Sequence, residues 1–110
     1  MIENTREGAP LRFTFNRLVV VESLLGKTLK AVIDELESPN GVSLTTLRAL
    51  YAVGHAGSQL DMWMRMPSMG GAPLGVDLSA AGNAIEAIGT TVATRDVGAA
   101  LAALFAEMAE

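Results

Sequence analysis

Few residues in this chain have the chemistry to do catalysis. It has one histidine and no cysteine. That excludes a disulfide framework, a thiolate metal site and a cysteine nucleophile. His55 stands between Gly54 and Gly57, near the expected end of a helix. An imidazole works as a general base only beside a nucleophile or an orienting carboxylate, and no Ser/Asp pattern accompanies it. Favouring a helix C-terminus when protonated is the simpler role for it. Asp34, Glu35 and Glu37 are grouped carboxylates, but acid–base work needs two carboxyls converging on a pocket in different environments. With Lys27 and Lys30 nearby they read as a solvated helix face. Glu22 interrupts the apolar run "VVVESLL". It either points outward or bonds backbone or a polar partner at the edge of the core. "SMGGAPLG" (68–75) is glycine-rich, yet it lacks the lysine that a phosphate-binding loop places before its helix. No metal-ligand spacing occurs. The reading is a protein with no catalytic, cofactor-binding or metal-ligating residues, and so not an enzyme.

Charge narrows the partners. Net charge is −4 over 110 residues, and neutralising phosphates needs a basic face. Trp63 and Arg65 form a pair and not a basic–aromatic patch. "SLTTLRALYAVGHAG" (43–57) has the outline of half a helix-turn-helix, but a recognition helix is expected to be more basic. No apolar run approaches the ~18 residues of a membrane span, and "MIENTREGAP" is too polar for a signal peptide. Neither nucleic acid nor membrane is expected as a partner.

The elements that must carry these residues follow from periodicity and caps. Half of the chain is apolar, enough for a core, and the length suits one domain spanning residues 1–110. Residues 1–10 read as loose. Leu11, Phe13 and Phe15 alternate with Arg12 and Thr14, which predicts a short strand. The next segment changes to helical spacing, with Leu18, Val21, Leu24 and Leu25 apolar and Gly26 placed as a left-handed terminator. Thr28 is a candidate N-cap for a helix with the stripe Leu29, Val32, Ile33 and Leu36. Ser43 caps a third, with Val42 and Leu47 as a hydrophobic staple and Leu44, Leu47, Leu50 and Tyr51 inward. Gly54 and Gly57 mark its end. Asp77 caps a fourth, with Leu78, Ala81, Ile85 and Ile88 apolar and Gly89 closing it. Thr94 is expected to cap the last, with Val97, Leu101, Leu104, Phe105 and Met108 inward. Gly82 and Gly98 each cost about 1 kcal/mol in a helix, and close helix packing is the usual compensation. The prediction is a mainly α fold: a compact bundle of about five short helices with a short N-terminal β segment.

The blocks "LRFTFNRLVVVESLLGKTLKAVIDEL" and "SLTTLRALYAVG" resemble the tail assembly chaperones of siphophages and gene transfer agents. The matching positions are Leu11, Phe13, Phe15, Asn16, Leu18, Glu22, Leu25, Gly26, Thr28 and Leu29, then Ser43, Leu44, Leu47, Arg48, Ala49 and Leu50. The closing "DLSAAGNAIEAIG" is similar to the family's Glu-Ala-Gly…Ile-x-x-Ile-Gly pattern, with Ala81 and Gly82 matching and Ser79 at the acidic position. Two features depart from the family. The first ten residues are short for its N-terminal hairpin, and the methionine-rich stretch looks like an insertion. The resemblance implies a non-enzymatic protein of the bacterial host cytoplasm, of phage, prophage or gene-transfer-agent origin. It also implies a tape-measure-like helical client, held during tail morphogenesis, and a homo-oligomer.

The stretch 58–76, rich in Met, Gly and Pro, reads as a loop or insertion. It holds the only tryptophan and four of the six methionines. Met suits a surface that accepts varied apolar partners. Leu60, Met62, Trp63, Met64, Met66 and Met69 are the candidate partner-binding residues, with Trp63 as anchor. Leu60, Met62, Met64 and Met66 alternate with Asp61, Trp63 and Arg65, so an extended piece could turn one row inward. A lid on the protein's own helices, an interface and disorder are the three readings of this stretch. For the whole chain, the alternatives to a client-holding chaperone are an oligomeric phage structural or adaptor protein without a client, and a small helical DNA-binding regulator.

Overall fold

The computed structural model describes residues 11–39, 41–65 and 73–109. Six helices occur among them: α1 (Phe15–Leu25), α2 (Leu29–Glu37), α3 (Leu44–His55), α4 (Ser58–Met64), α5 (Leu78–Ile88) and α6 (Thr90–Met108). The mainly α expectation holds. Residues 11–14 carry no regular secondary structure and Phe15 already opens α1. The strand expected over Leu11–Phe15 is therefore not formed here, and residues 1–10, with which it could have paired, lie outside the described residues. A local reason is visible. Thr14, in extended conformation, accepts the Arg17 N–H on its hydroxyl and so acts as the N-cap of α1. The segment 11–14 is anchored instead by the Arg12 N–H, which donates to the Gly54 carbonyl at 2.8 Å.

Side-chain caps set most of the boundaries. Thr28, Ser43 and Asp77 accept the N–H groups of Ala31, Thr46 and Ala80 and start α2, α3 and α5. Gly26 ends α1 at φ 66°, where a Cβ would be strained. The expectation for α6 needs correction. It begins at Thr90, a turn before Thr94, and Gly89 (φ 92°) alone turns the chain from α5 into it. Thr94 lies inside the helix and donates its hydroxyl to the Thr90 carbonyl at 2.7 Å.

The core is built around α3, which packs against α1, α5 and α6; α5 also packs on α6, and α2 on α1. Thr46, Leu47 and every residue from Ala49 to Gly54 are buried. A helix apolar on nearly all sides belongs at the centre of a bundle. Val21 and Val32 meet it from α1 and α2, Ile85 from α5, and Val97, Leu101 and Leu104 from α6. Burying each large apolar side chain contributes about 1.5–3 kcal/mol. Three predicted core residues lie outside instead. Leu44 is 70 % exposed at the first turn of α3, and Leu24 is 37 % exposed, while Val20, not expected inward, is buried. Met108 also faces out. Gly98 has nothing within 4 Å of where a Cβ would be, so close packing does not explain it.

Candidate functional site

Arg17 organises the end of the bundle where α1, α3 and α4 meet. It is 2 % exposed, and its guanidinium uses all five of its N–H groups. Nε and Nη2 donate to the two oxygens of Asp61 at 3.1 Å each. Nη1 donates to the carbonyls of Val53 and Ala56 at 2.9 Å each, and Nη2 to that of Gly57 at 3.2 Å. The last carbonyls of a helix lack internal partners, and here a side chain from another helix supplies them. The same hydrogen bonds hold the Asp61 carboxyl below its ordinary range.

That joint decides where the methionine-rich stretch goes. Ser58–Met64 is helical, so residues 58–64 are not a loop and the row spacing is not two. Leu60, Trp63 and Met64 share one face, at i, i+3 and i+4, and all three pack against the core. Leu60 is wholly buried and has no surface to offer a partner, which corrects its place among the candidate binding residues. Its burial follows from α4 being pinned at Asp61, the adjacent residue. Met62 points outward at 59 % exposed. Trp63 is half-buried, and its indole N–H is buried without an acceptor among the described residues. Met66 and Met69 lie outside the described residues. For residues 58–64, then, the structure is that of a lid on the protein's own helices.

The carboxylates have structural partners. Glu22 Oε2 accepts the Leu29 N–H at 2.6 Å, satisfying the first turn of α2 from the end of α1. Of the two readings open for Glu22, backbone bonding is the one observed. Glu35 pairs with Lys27 and accepts the Ser43 N–H at 3.1 Å. Lys27 also donates to the Thr46 hydroxyl at 2.9 Å. This network fastens α2 to the start of α3. It lowers the Glu35 pKa from 4.5 to about 2, chiefly through the Lys27 bond and then through the Ser43 N–H. Asp34 pairs with Lys30 in solvent. Among the described residues no cluster of three or more His, Asp or Glu side chains is placed to hold a metal ion, and no helix is long and apolar enough to cross a membrane.

Two concavities lie among the described residues. The larger, about 460 Å³, runs between residues 11–15 and the C-terminal half of α6; Leu11, Phe13, Phe15, Ala100 and Leu104 supply its apolar lining, and Arg12 and Glu107 its charges. Phe15 on its rim is 64 % exposed, and Val19, one turn further along α1, is 50 % exposed. The floor is set by Phe13, which is buried over Gly54. A Cβ at Gly54 would stand 2.8 Å from the Phe13 ring. The smaller concavity, about 90 Å³, lies where α3 meets the start of α5; Tyr51, His55 and Asp77 carry its polar groups. The His55 and Tyr51 rings stack 6.0 Å apart. His55 is the last residue of α3 and exposed.

Sequence reasoning missed Arg17, the lead-in groove and the cleft. Only for Arg17 was a signal present: it precedes Val20 and Val21 by three and four residues, so it shares their buried face. No protein-family model, no curated protein and no solved structure matches the chain.

Proposed function

We propose that this chain is a tail-assembly-chaperone-like binding protein. In this reading it holds the amphipathic helices of a tape-measure-like client in the bacterial cytoplasm, self-associates, and performs no catalysis. The observation that carries the reading is the groove between residues 11–15 and α6, open to solvent beside Phe15 and Val19. A groove of this kind, half apolar and half polar in its exposed lining, suits an amphipathic helix laid in by its i, i+3 and i+4 residues. The alanines of α6 (Ala100 and Ala103) leave room for a close backbone approach. Phe15 begins the "FNRL" segment through which the chain resembles the chaperone family, so sequence likeness and groove coincide in position. The docking residues are then Phe15 and Val19, with Trp63 and Met64 belonging mainly to the protein's own lid and Met62 exposed on its outer side.

The test is co-expression with a long helical tape-measure protein, sought first as a very long coiled-coil-like gene downstream. A complex is expected to survive gel filtration and to keep the client soluble. Phe15→Asp and Val19→Asp each remove an exposed apolar contact of about 1.5–3 kcal/mol when covered, so each is expected to weaken the complex at least tenfold while leaving thermal stability within about 1 kcal/mol of the parent. A client that stays insoluble, or a complex indifferent to both substitutions, refutes the reading. Self-association without any client complex would identify an adaptor instead, and a salt-dependent shift of duplex DNA a regulator.

A further inference from the structure

The cleft at the start of α5 shares no residue with the groove, and it has a chemistry of its own. Its floor is alanine: Ala52, Ala80, Ala81 and Ala84. One wall is the stacked pair of Tyr51 and His55. Tyr51 is 5 % exposed, and its hydroxyl has no hydrogen-bond partner among the described residues. That hydroxyl is not one of the fully buried unpaired polar atoms among the described residues, so it reaches solvent and is open to a ligand group.

The charge of that group follows from its neighbours. A helix N-terminus attracts anions, but at α5 the position is already filled by the Asp77 carboxylate, whose Oδ1 accepts the Ala80 N–H at 2.9 Å. No hydrogen bond or ion pair occupies Oδ2 among the described residues. Asp96, on α6, is near enough to Tyr51 that its charge, after burial itself, opposes ionisation of the phenol. Among the described residues no Lys or Arg lines the cleft. Arg48, one turn earlier on α3, lies against Gly82. An anion would meet one or two carboxylates here, whereas a cation would be matched. The volume, about 90 Å³, suits the head of one side chain.

We infer that this cleft is an anchor for a single basic side chain of a partner protein, arginine before lysine. The guanidinium lies flat against the His55–Tyr51 stack, donates to Asp77 Oδ2, and gives the Tyr51 hydroxyl a donor. A planar, forked cation fits a ring wall beside a carboxylate better than a compact ammonium does. The net charge of −4 adds a general attraction for basic partners. This site stands independently of the helix groove, and either can fail without the other.

Titration of the ¹⁵N-labelled full chain with N-acetyl-arginine amide, followed by amide shifts, tests it. Saturable shifts are expected at Tyr51, His55, Asp77, Ala80 and Ala81, with a millimolar dissociation constant and weaker binding of the lysine analogue. Asp77→Asn keeps the N-cap, since Asn caps as well as Asp, and is expected to weaken binding at least threefold. Tyr51→Phe keeps the packed ring and is expected to do the same. Absence of shifts at these residues overturns the inference, as does an equal response to sodium acetate. Unchanged affinity in both variants, with the fold intact by the same spectra, also overturns it.

Discussion

Replacing Arg17 by Met tests the joint that closes this bundle. The substitution keeps an apolar stem in place, is shorter by the guanidinium head, and removes all five hydrogen bonds. The carbonyls of Val53, Ala56 and Gly57 belong to the backbone, so no second substitution can remove them, and methionine offers them nothing. Breaking a buried pair from one side costs about 3–5 kcal/mol. The lower end applies here because Asp61 is 29 % exposed and recovers some hydration. A loss of about 3 kcal/mol corresponds to roughly 12 °C in Tm for a chain of this size, at about 4 °C per kcal/mol. Thermal and urea unfolding followed by circular dichroism measure it. Trp63, the only tryptophan, sits two residues from Asp61, so its emission is expected to shift to the red as α4 loosens. Arg17→Lys is expected to restore only part of the stability, because one ammonium cannot span the fork. Asp61→Asn is expected to cost less than Arg17→Met, since it leaves the three carbonyl bonds in place. A loss below about 1 kcal/mol for Arg17→Met, with Trp63 emission unchanged, would refute the claim that this residue holds the three helices together.

Other perturbations have equally definite signs. Gly54→Ala gains about 1 kcal/mol of helix propensity but drives a methyl into the Phe13 ring, an overpacking cost of about 1–3 kcal/mol; a net loss of up to about 2 kcal/mol is expected by urea unfolding. Gly98→Ala meets open space and is expected to stabilise by about 1 kcal/mol in the same assay. Glu35, whose pKa is depressed from 4.5 to about 2 when folded, adds stability that is fully present above about pH 5 and is lost as pH falls through 4.5 toward 2. After allowance for solvent screening this is about 1 kcal/mol, so the urea midpoint of Glu35→Gln is expected to fall less steeply over that window than the parent's; parallel curves would remove Glu35 from the account.

Local chemistry made much of the fold legible. Thr28, Ser43 and Asp77 are caps, and Gly26 a left-handed terminator, because each acts on backbone within a few residues of itself. Helical periodicity likewise placed Val21, Val32, Leu50, Ile85 and Val97 inside. The same rules failed where a competing local preference or a distant contact decided. Alternation over Leu11–Phe15 predicted a strand, but the cap at Thr14 started a helix. The turn-rich look of 58–76 hid α4, which has no side-chain cap and is held by Arg17 from 44 residues away in the chain.

The amino-acid sequence by itself therefore determined that this is a helical fold and where most of its helices begin and end. Only the tertiary structure decided that Arg17 is buried and Leu44 is not, that Leu60 belongs to the core, and that Tyr51, His55 and Asp77 share one cleft. A cap is settled by neighbours along the chain, whereas a buried ion pair or a groove depends on which helices meet. That is fixed by the packing of the whole bundle around α3.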